Sequence, residues 1–372
     1  MDKTRIAILG ASGYAGGELV RLLSHHPAAD IVLLTAERQA GKPLGAVFPG
    51  LGSDDLPQLM ALDEVEWAGL DVDVVFCALP HATTQTIVRG LFHASGHSFV
   101  DEMIVETTED LIASIARPVK VIDLSADFRL GDPAVYKQWY GEDHRAPELQ
   151  NIAVYGLSEI NREAIAEASL VANPGCYPTT ALLPLIPLLA ADLVAPQNIV
   201  IDAKSGVSGA GRAAREANLF AEVSEGIRAY GLQGHRHTPE IEQELTAAAG
   251  AEVAVSFTPH LVPMNRGILE TIYVQLTEGA TMAQLRDALD DSYRDEPFVQ
   301  LLPEGVVPDT RQVRGANRCL INVFAGRRDG TAVIVSVIDN LVKGAAGQAI
   351  QNMNLILGLP ETTGLDHQPL FL

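Results

Sequence analysis

RIAILGASGYAG, residues 5–16, joins a short apolar run to a glycine-rich turn, and a helical pattern through Glu18–Leu23 follows it. A strand, a glycine turn and a helix in this order are the context in which a helix N-terminus binds the pyrophosphate of a dinucleotide. The spacing G-x-x-G-x-x-G is one residue longer at its first interval than the usual fingerprint, so a plain glycine-rich connection stays open as the alternative. We expect the turn to bind a dinucleotide through Gly10, Ala11, Ser12, Gly13, Tyr14, Ala15 and Gly16.

The pattern around this turn predicts a parallel sheet. Short apolar runs alternate with helical patterns through the first 150 residues, namely RIAIL (5–9), IVLLT (31–35), VVFCAL (74–79) and VKVIDL (119–124). Such alternation is typical of a doubly wound α/β domain. From about Asn151 longer β-type runs follow with fewer helices between them, which predicts a second, mixed α+β domain. The chain then ends in a helical pattern over residues 343–357 that begins with small residues.

Composition and charge exclude several classes of partner. The chain has 372 residues, of which 47% are hydrophobic and 20% charged, so it is long and apolar enough to bury a core. Its formal net charge of −21 repels nucleic acid and anionic membrane surfaces. An anionic substrate would need local capture by arginine or backbone N–H groups. Two loops offer this, with the candidate residues Arg129, Ser205 and Arg212.

Cysteine content and targeting signals indicate a cytoplasmic protein. Three scattered cysteines are too few for a disulfide framework. The N-terminus shows no signal-peptide pattern, and the longest apolar stretch, Thr180–Ala191, is interrupted by Pro184 and Pro187 and is too short to span a bilayer. We therefore expect a reducing compartment and no membrane association.

One cysteine lies where a helix should begin. Cys176 follows the turn Asn173–Gly175 and precedes an apolar, helix-like run over residues 179–189. The positive end of a helix dipole lowers a thiol pKa, and helix-start N–H groups can hold an oxyanion, so this position suits a nucleophile. The alternative is a small buried hydrophobe. That alternative describes Cys77 and Cys319 better, because each lies inside an apolar strand pattern.

Two histidines downstream could serve that thiol. His235 and His237 lie in GHRHTPE (234–240), and in an extended segment they would face the same way. One of them could act as a general acid or base. A metal site is the competing interpretation, but no third ligand at suitable spacing accompanies the pair, and a merely structural pair also stays open. We expect no metal.

The second strand pattern ends in Thr35-Ala-Glu37-Arg38 and bears on the choice of dinucleotide. A carboxylate there suits a free ribose hydroxyl, whereas an arginine suits a 2′-phosphate. Arg38, with Lys42 nearby, favours NADP(H). Two solvated loop charges are the alternative.

Nine motifs, in order across most of the chain, resemble the N-acetyl-γ-glutamyl-phosphate reductase family of the aspartate-semialdehyde dehydrogenase-like group. The most specific are NPGCYPT (173–179), SGVSGAGR (205–212) and HRHTPE (235–240). The others are GASGYAG (10–16), LPH (79–81), LSADFR (124–129), YGLSE (155–159), FTPHLVPMNRGIL (257–269) and DNLVKGAAGQA (339–349).

The resemblance implies roles and boundaries. Cys176 would be the nucleophile, the His235/His237 pair the acid/base, and Glu240 a supporting carboxylate. The glycine turn, Pro80 and Asn340 would lie along NADP(H). Residues 1–155 with 340–372 would form the dinucleotide-binding domain, and residues 156–339 the catalytic and oligomerisation domain. The stretch 96–118 looks longer than the family's usual connection.

The implied reaction is the reduction of an acyl phosphate, a small-molecule substrate, through a cysteine thioester to a semialdehyde, in arginine biosynthesis. Three alternatives stay open: a reductase of aspartyl or carrier-bound aminoadipyl phosphate, a Cys/His acyl hydrolase, and a catalytically silent NADPH sensor. The long strand patterns of the second domain predict a sheet-mediated dimer or tetramer.

Overall fold

The computed structural model describes residues 3–52, 55–67, 70–94 and 119–370. Two compact units are present: unit 1 comprises Met1–Pro174 and Ala346–Leu365, and unit 2 comprises Gly175–Ala345 and Asp366–Leu372. The first boundary lies later than the 155 expected from sequence, because residues 156–174 contribute a strand to the first sheet. The stretch 96–118, expected to depart from the family pattern, lies outside the described residues.

Unit 1 contains a parallel sheet, which confirms the predicted doubly wound domain. Its strand order is β3-β2-β1-β4-β5-β7-β6, and every pairing in it is parallel. The strands are β1 (Thr4–Leu9), β2 (Ala29–Thr35), β3 (Leu59–Met60), β4 (Val74–Cys77), β5 (Lys120–Asp123), β6 (Ala153–Tyr155) and β7 (Leu170–Ala172). The described helices are α1 (Tyr14–Leu23), α2 (Leu44–Val47), α3 (Thr84–Ala94), α4 (Pro133–Tyr140), α5 (Pro147–Gln150), α6 (Ser158–Glu167) and α11 (Gly347–Ile356).

The central strands of unit 1 are buried on both faces. Ile6–Leu9 of β1 and Val74–Cys77 of β4 are fully inaccessible to solvent, which explains why their sequences read as continuous apolar runs without alternation. Parallel strands end at one edge of the sheet. The glycine turn after β1 and the loop Leu79–His81 after β4 therefore lie at the same edge, where α/β sheets bind ligands.

Unit 2 contains a mixed sheet, as predicted. Its order is β12-β13-β14-β11-β8-β10-β9. The strands are β8 (Ile199–Gly206), β9 (Arg228–Ala229), β10 (Val255–Val262), β11 (Ile268–Gln275), β12 (Val299–Leu301), β13 (Cys319–Ala325) and β14 (Thr331–Ile338). The described helices are α7 (Cys176–Ala190), α8 (Phe220–Val223), α9 (Thr238–Ala249) and α10 (Met282–Tyr293). α7 packs on β11 and β14.

Two prolines lie inside α7 without ending it. Pro187 has no N–H, so the carbonyl of Leu183, four residues earlier, lacks its usual intrahelical donor. The hydroxyl of Tyr293, at the end of α10, donates to that carbonyl instead. The helix runs unbroken from Cys176 to Ala190.

The predicted C-terminal helix begins differently from its pattern. Val342–Ala346 forms a π-helical turn, and the α-helix α11 starts only at Gly347. The buried carboxylate of Asp339 accepts the backbone N–H groups of Leu341 and Val342 through Oδ1, at 2.9 and 3.2 Å, and so holds the start of this turn. None of the described helices is long and apolar enough to cross a membrane.

Candidate active site

Cys176 is the first residue of α7, which confirms the predicted helix start. Gly175 is the N-cap residue, with an extended backbone, and the turn before it contains Pro174. The side chain of Cys176 is half-buried. The first turn of a helix presents backbone N–H groups and the positive end of the dipole, and both stabilise a thiolate.

Glu240 fixes the peptide that precedes the thiol. Its carboxylate is buried, and Oε1 accepts the backbone N–H of Gly175 at 2.7 Å. Glu240 lies in the first turn of α9, which packs against α7. The supporting carboxylate named from the resemblance therefore has a definite partner in the backbone next to Cys176.

His235 and His237 do not lie on an extended segment, the case in which they would have faced the same way by alternation. Residues 231–237 form turns, and His237 is the N-cap of α9 with a helical backbone. The backbone N–H of His237 donates to Nδ1 of His235 at 3.1 Å, which curls the segment. The two rings nevertheless meet edge to face, with centroids 4.9 Å apart.

An aromatic cage surrounds the two imidazoles, and sequence reasoning missed it. The ring of Tyr177, the residue after the thiol, meets His235 and His237 at 5.7 and 5.8 Å between centroids. Tyr230 and Phe257 also contact His235, at 5.6 and 5.3 Å. The position of Tyr177 beside Cys176 was an available signal. The other two could not be found in this way, because they lie far from Cys176 along the chain.

The hydroxyls of Tyr177 and Tyr230 lie 2.9 Å apart. Burial, the neighbouring phenol and the charge of Cys176 raise the pKa of Tyr177. Burial is also the main cause that raises the pKa of Tyr230 to about 12. Both phenols are therefore protonated at neutral pH, and they can donate hydrogen bonds but cannot act as bases.

The electrostatics of His235 favour a neutral ring. Burial, with a smaller contribution from the charge of Arg236, lowers its pKa to about 4. Since Nδ1 accepts a backbone N–H, the ring proton of the neutral imidazole belongs on Nε2. His235 can therefore donate a hydrogen bond at neutral pH, but it has no ring nitrogen left to take up a proton.

The backbone of Gly344 packs directly against Cys176. A β-carbon at position 344 would lie 2.8 Å from Cβ of Cys176 and 3.2 Å from its Cα, so only glycine fits there. The small residues at the start of the C-terminal pattern thus permit the close backbone approach that the sequence suggested.

The loop after β8 carries the other predicted residues of unit 2. Ser205 is buried at the end of β8 and hydrogen-bonds the hydroxyl of Tyr177, whereas Arg212 is exposed beyond the loop. The buried amide of Asn340 accepts from the N–H of Gly267 at 2.8 Å and donates to Oγ of Ser208 at 2.9 Å. Asn340 therefore holds this loop, and its contact with a cofactor stays a prediction.

The glycine turn of unit 1 has the geometry that close backbone packing requires. Gly10 has φ +86°, and a β-carbon there would strike the carbonyl oxygen of Ala78 at the end of β4. A β-carbon on Gly16 would strike the carbonyl oxygen of Gly10. Gly13 is the N-cap of α1, so Tyr14 and Ala15 begin the helix while Ala11 and Ser12 lie in the turn. Gly10 and Gly16 thus let the turn pack closely against the end of β4 and against the start of α1.

The two charges after β2 have different surroundings. Oε1 of Glu37 accepts the N–H of Leu62 at 3.1 Å, whereas Arg38 is exposed. Pro80 is also exposed, in the loop after β4 whose first residues lie against Gly10. The residues predicted for the cofactor in unit 1 therefore lie on the loops at the carboxyl edge of its sheet.

Arg129, predicted to contact substrate, is buried in unit 1. Its Nε donates to the carbonyl of Asn173 and its Nη2 to that of Leu124, both at 2.8 Å. Both hydrogen bonds go to backbone carbonyls of unit 1 and none of them to a substrate, so an interaction of Arg129 with substrate stays a prediction. Among the described residues, no group of three or more His, Cys, Asp or Glu side chains is arranged to hold a metal ion.

Cys77 and Cys319 are fully buried free thiols, as their strand patterns predicted. Burial and the charges of Asp123 and Asp127 raise the pKa of Cys77 well above its ordinary value. Sγ of Cys319 lies 3.4 Å from Oγ of Ser336. Neither thiol has the half-exposed helix-start position of Cys176.

The protein families that match this chain divide it in a way similar to its two compact units. The family described as "Semialdehyde dehydrogenase, NAD binding domain" matches residues 5–103, and the one described as "Semialdehyde dehydrogenase, dimerisation domain" matches residues 176–340. The second match begins at the candidate nucleophile. The chain is also similar in fold to aspartate semialdehyde dehydrogenase II from Vibrio cholerae, with a TM-score of 0.67, 19% identity, and 96% and 99% of the two chains covered. The Candida albicans aspartate semialdehyde dehydrogenase, solved with NADP, gives a TM-score of 0.60 at 15% identity, covering 96% and 99% of the chains.

Relatives similar over their whole length identify the family more narrowly. The N-acetyl-gamma-glutamyl-phosphate reductase of Rhodospirillum rubrum is 56% identical over 370 residues, covering 100% of this chain and 99% of that protein. The reductase of Afipia carboxidovorans is 54% identical, covering 99% of each. The probable chloroplastic reductase of Oryza sativa subsp. japonica is 53% identical and covers 100% of this chain and 83% of that protein. This chain therefore belongs to the N-acetyl-gamma-glutamyl-phosphate reductase family.

Proposed function

We propose that the protein reduces N-acetyl-γ-glutamyl phosphate to N-acetylglutamate 5-semialdehyde and phosphate with NADPH, in arginine biosynthesis. The observation that carries the proposal is Cys176 at the first position of α7, with the preceding peptide N–H held by the buried carboxylate of Glu240. Full-length similarity to reductases of that name supports the choice of substrate.

Cys176 is the nucleophile in this proposal. Its thiolate attacks the carbonyl carbon of the acyl phosphate, a C–S bond forms, and phosphate leaves with the electron pair of the C–O bond. The dianionic leaving group is thereby removed before reduction. Bound NADPH would supply the hydride that reduces the thioester carbon, and breaking of the C–S bond would then release the aldehyde and the thiolate of Cys176. The helix dipole at Cys176 stabilises that thiolate as nucleophile and as leaving group.

The histidines take different roles. His235 is neutral and carries its proton on Nε2, so it can donate a hydrogen bond to an oxyanion. The oxyanion that forms when hydride reaches the thioester carbon can take up a proton, and that proton leaves the oxygen again as the C–S bond breaks. His235 cannot accept it, so we assign this transfer to His237. We assign Glu240 a positioning role, because its Oε1 accepts the N–H of the peptide before Cys176.

The residues of the glycine turn fit a dinucleotide. The turn leaves no room for a β-carbon at Gly10 or Gly16, and it opens into the N-terminus of α1. Exposed Arg38 suits a 2′-phosphate, and Glu37 is held by Leu62, so the charges favour NADP(H) over NAD(H). Pro80 and Asn340 complete the residues that we assign to the cofactor.

The substrate is an anion in a protein of net charge −21, so local groups must bind it. We assign this role to Ser205 and Arg212 around the loop after β8, and to Arg129. We assign dinucleotide binding to unit 1 and catalysis and assembly to unit 2. The dimerisation-domain match supports a homo-oligomer, a dimer or tetramer. Three free thiols suit the reducing cytoplasm.

A spectrophotometric assay in the reverse direction tests the proposal. Purified protein receives N-acetylglutamate 5-semialdehyde, phosphate and either NADP or NAD, and absorbance of the reduced dinucleotide is followed. We expect phosphate-dependent reduction with NADP preferred. Aspartate semialdehyde in place of the acetylated substrate is the matched control. Faster turnover with that control would contradict the assigned substrate, and absence of any NADP(H) binding would favour an acyl hydrolase instead.

A further inference from the structure

Buried side-chain amides join α11 to α6 and to the loop before it. Gln348 and Asn352 of α11 are fully inaccessible to solvent, and α11 packs against α6. Burying an amide costs free energy unless its donors and acceptor find partners, so the partners of each amide show what it holds in place. The partners of Asn352 include a residue of the turn that precedes the thiol.

Asn352 hydrogen-bonds three different residues. Its Nδ2 donates to the carbonyl of Gly156 at 2.8 Å and to Oδ1 of Asn173 at 3.2 Å. Its Oδ1 accepts the hydroxyl of Ser158 at 2.6 Å. Because a carbonyl can only accept, the amide nitrogen must face Gly156, and its second hydrogen then serves Asn173.

The space around Asn352 allows this side chain little movement. A β-carbon at Gly156 would lie 2.6 Å from Nδ2 of Asn352 and 2.6 Å from Cγ1 of Val171, so only glycine fits there. The close approach of the Gly156 backbone fixes the amide, and the fixed amide gives Asn173 a stationary donor.

Asn173 is buried and is held at three atoms. Its N–H donates to the carbonyl of Asp123 at the end of β5, at 2.8 Å. Its carbonyl accepts Nε of Arg129, also at 2.8 Å. The strand end and Arg129 therefore fix the backbone of Asn173, and Asn352 fixes the orientation of its side-chain amide.

The amide of Asn173 carries the restraint one residue further. With Oδ1 engaged, its Nδ2 faces the carbonyl oxygen of Pro174, 3.5 Å away. The N–H of the same peptide group, on Gly175, donates to Glu240 at 2.7 Å. This peptide group, which ends at the residue before Cys176, is therefore held at both its oxygen and its nitrogen.

We propose that Asn352 is a positioning residue for the nucleophile: by orienting the amide of Asn173, it restrains the peptide that leads into α7. The inference rests on the proposed function, in which Cys176 reacts as a thiolate. The favourable field of a helix start falls off within the first turn. If the entry into α7 were loosened, the first turn would fray and the thiolate would lose part of that stabilisation.

Gln348 provides the matched control, because it has the same neighbours without the link to the turn. It lies one helical turn before Asn352, and its Nε2 donates to the carbonyl of Gly156 at 3.0 Å and to Oγ of Ser158 at 2.7 Å. Alanine at either position removes one donor from Gly156 and one partner from Ser158. Only alanine at 352 also releases the side chain of Asn173.

The pH profile of alkylation tests the proposal independently of turnover. Wild type, Asn352→Ala and Gln348→Ala react with iodoacetamide over a pH series, and mass spectrometry of the peptide that contains Cys176 gives the rate at that thiol. Because only the thiolate reacts, the midpoint of the profile reports the pKa of the thiol. We expect Asn352→Ala to raise the midpoint by about one pH unit, towards the ordinary thiol value of about 8.5, and Gln348→Ala to leave it unchanged.

Steady-state kinetics provide the second readout. The kcat of Asn352→Ala should fall about 10-fold with KM unchanged, because the thiol is positioned less well for attack. Gln348→Ala should keep the wild-type kcat. Urea denaturation should show a similar loss of stability in both variants, since each loses hydrogen bonds to Gly156 and Ser158.

Asn352→Ser is the milder variant if alanine at 352 prevents folding. Its hydroxyl can still pair with Ser158, but it lies one bond closer to the backbone than Nδ2 and does not reach Asn173. It should shift the midpoint in the same direction. An unchanged midpoint in a folded Asn352 variant, or an equal shift in Gln348→Ala, would overturn the positioning role. If instead the assigned substrate were wrong, the wild type would not turn it over, while the alkylation profiles would still report the role of Asn352.

Discussion

Cys176 and Cys77 carry the same thiol, but their surroundings are opposite. Cys176 begins a helix, is half-buried, and lies beside a cage of protonated phenols and a neutral imidazole. Cys77 ends a strand and is fully buried, and this burial, together with the charges of Asp123 and Asp127, raises its pKa well above the ordinary value.

The difference shows that the residue type does not decide reactivity. A helix start offers positive partial charge and access from solvent, whereas the end of a buried strand here offers neither. Changes to the two thiols and to the groups around them should therefore have unequal effects in the two regions.

Replacement of the sulfur should have the largest effect. In Cys176→Ser, we expect kcat to fall by about 10³-fold or more, because a hydroxyl is a far weaker nucleophile and leaving group at neutral pH. NADPH binding, followed by fluorescence titration, should be unchanged. Cys319→Ser is the matched control and should keep kcat. Near-normal turnover of Cys176→Ser would remove the nucleophilic role.

Loss of the carboxylate behind the thiol should have the next largest effect. In Glu240→Ala, the buried N–H of Gly175 loses its acceptor, at a cost of about 1–3 kcal/mol. We expect kcat to fall about 10–100-fold with little change in KM, as measured by steady-state kinetics.

Glu244→Ala is the control for that variant, because Glu244 lies one turn further along α9 and hydrogen-bonds Gln243 instead. It should keep the wild-type kcat. If Glu240→Ala raised KM and left kcat unchanged, the carboxylate would act in binding and not in positioning the nucleophile.

His235 and Asp123, one in each region, should make the free energy of unfolding depend on pH in opposite directions. His235 has a pKa of about 4, below the ordinary 6.5, so its contribution to stability is present above pH 6.5 and is lost as the pH falls towards 4. Burial and the charge of Asp127 raise the pKa of Asp123, beside Cys77, to about 7 from the ordinary 3.8. Its contribution is therefore present below pH 3.8 and is lost as the pH rises towards 7.

Denaturant titrations of His235→Gln and Asp123→Asn across pH 4–8 measure these slopes. Relative to the wild type, His235→Gln should flatten the loss of stability at acid pH, and Asp123→Asn should flatten the loss towards neutral pH. Slopes of the same sign would show that the two surroundings are not electrostatically opposite.

Removal of the buried thiol should have the smallest effect. In Cys77→Ala, we expect the free energy of unfolding to fall by about 1–2 kcal/mol, because the lost sulfur leaves a small cavity in the core of unit 1. Urea denaturation measures this change, and kcat at 25 °C should stay at the wild-type value. A large loss of kcat would give Cys77 a role in catalysis.

Local patterns predicted the elements that local forces determine. The strand β1, the glycine turn and the start of α1 follow one another along the chain, so their order alone identified them. The start of α7 at Cys176 was equally readable from the proline-glycine turn before it. Burial of Cys77 followed from its apolar strand.

Long-range contacts explain what the patterns missed. Tyr230 reaches His235 because β9 pairs with β10, with Ala229 opposite His260, and no periodicity encodes that pairing. The curled backbone of His235–His237 depends on one hydrogen bond between side chain and backbone. The first unit extends to Pro174 because β7 inserts between β5 and β6, which strand patterns cannot order.

The hydroxyl of Tyr293 completes the hydrogen bonding of α7 at the carbonyl that Pro187 leaves without a donor. Tyr293 lies 110 residues after Leu183 along the chain. The hydrogen bonding of the catalytic helix is therefore complete only when α10 packs against it, and loss of the Tyr293 hydroxyl would leave a carbonyl of that helix without this donor.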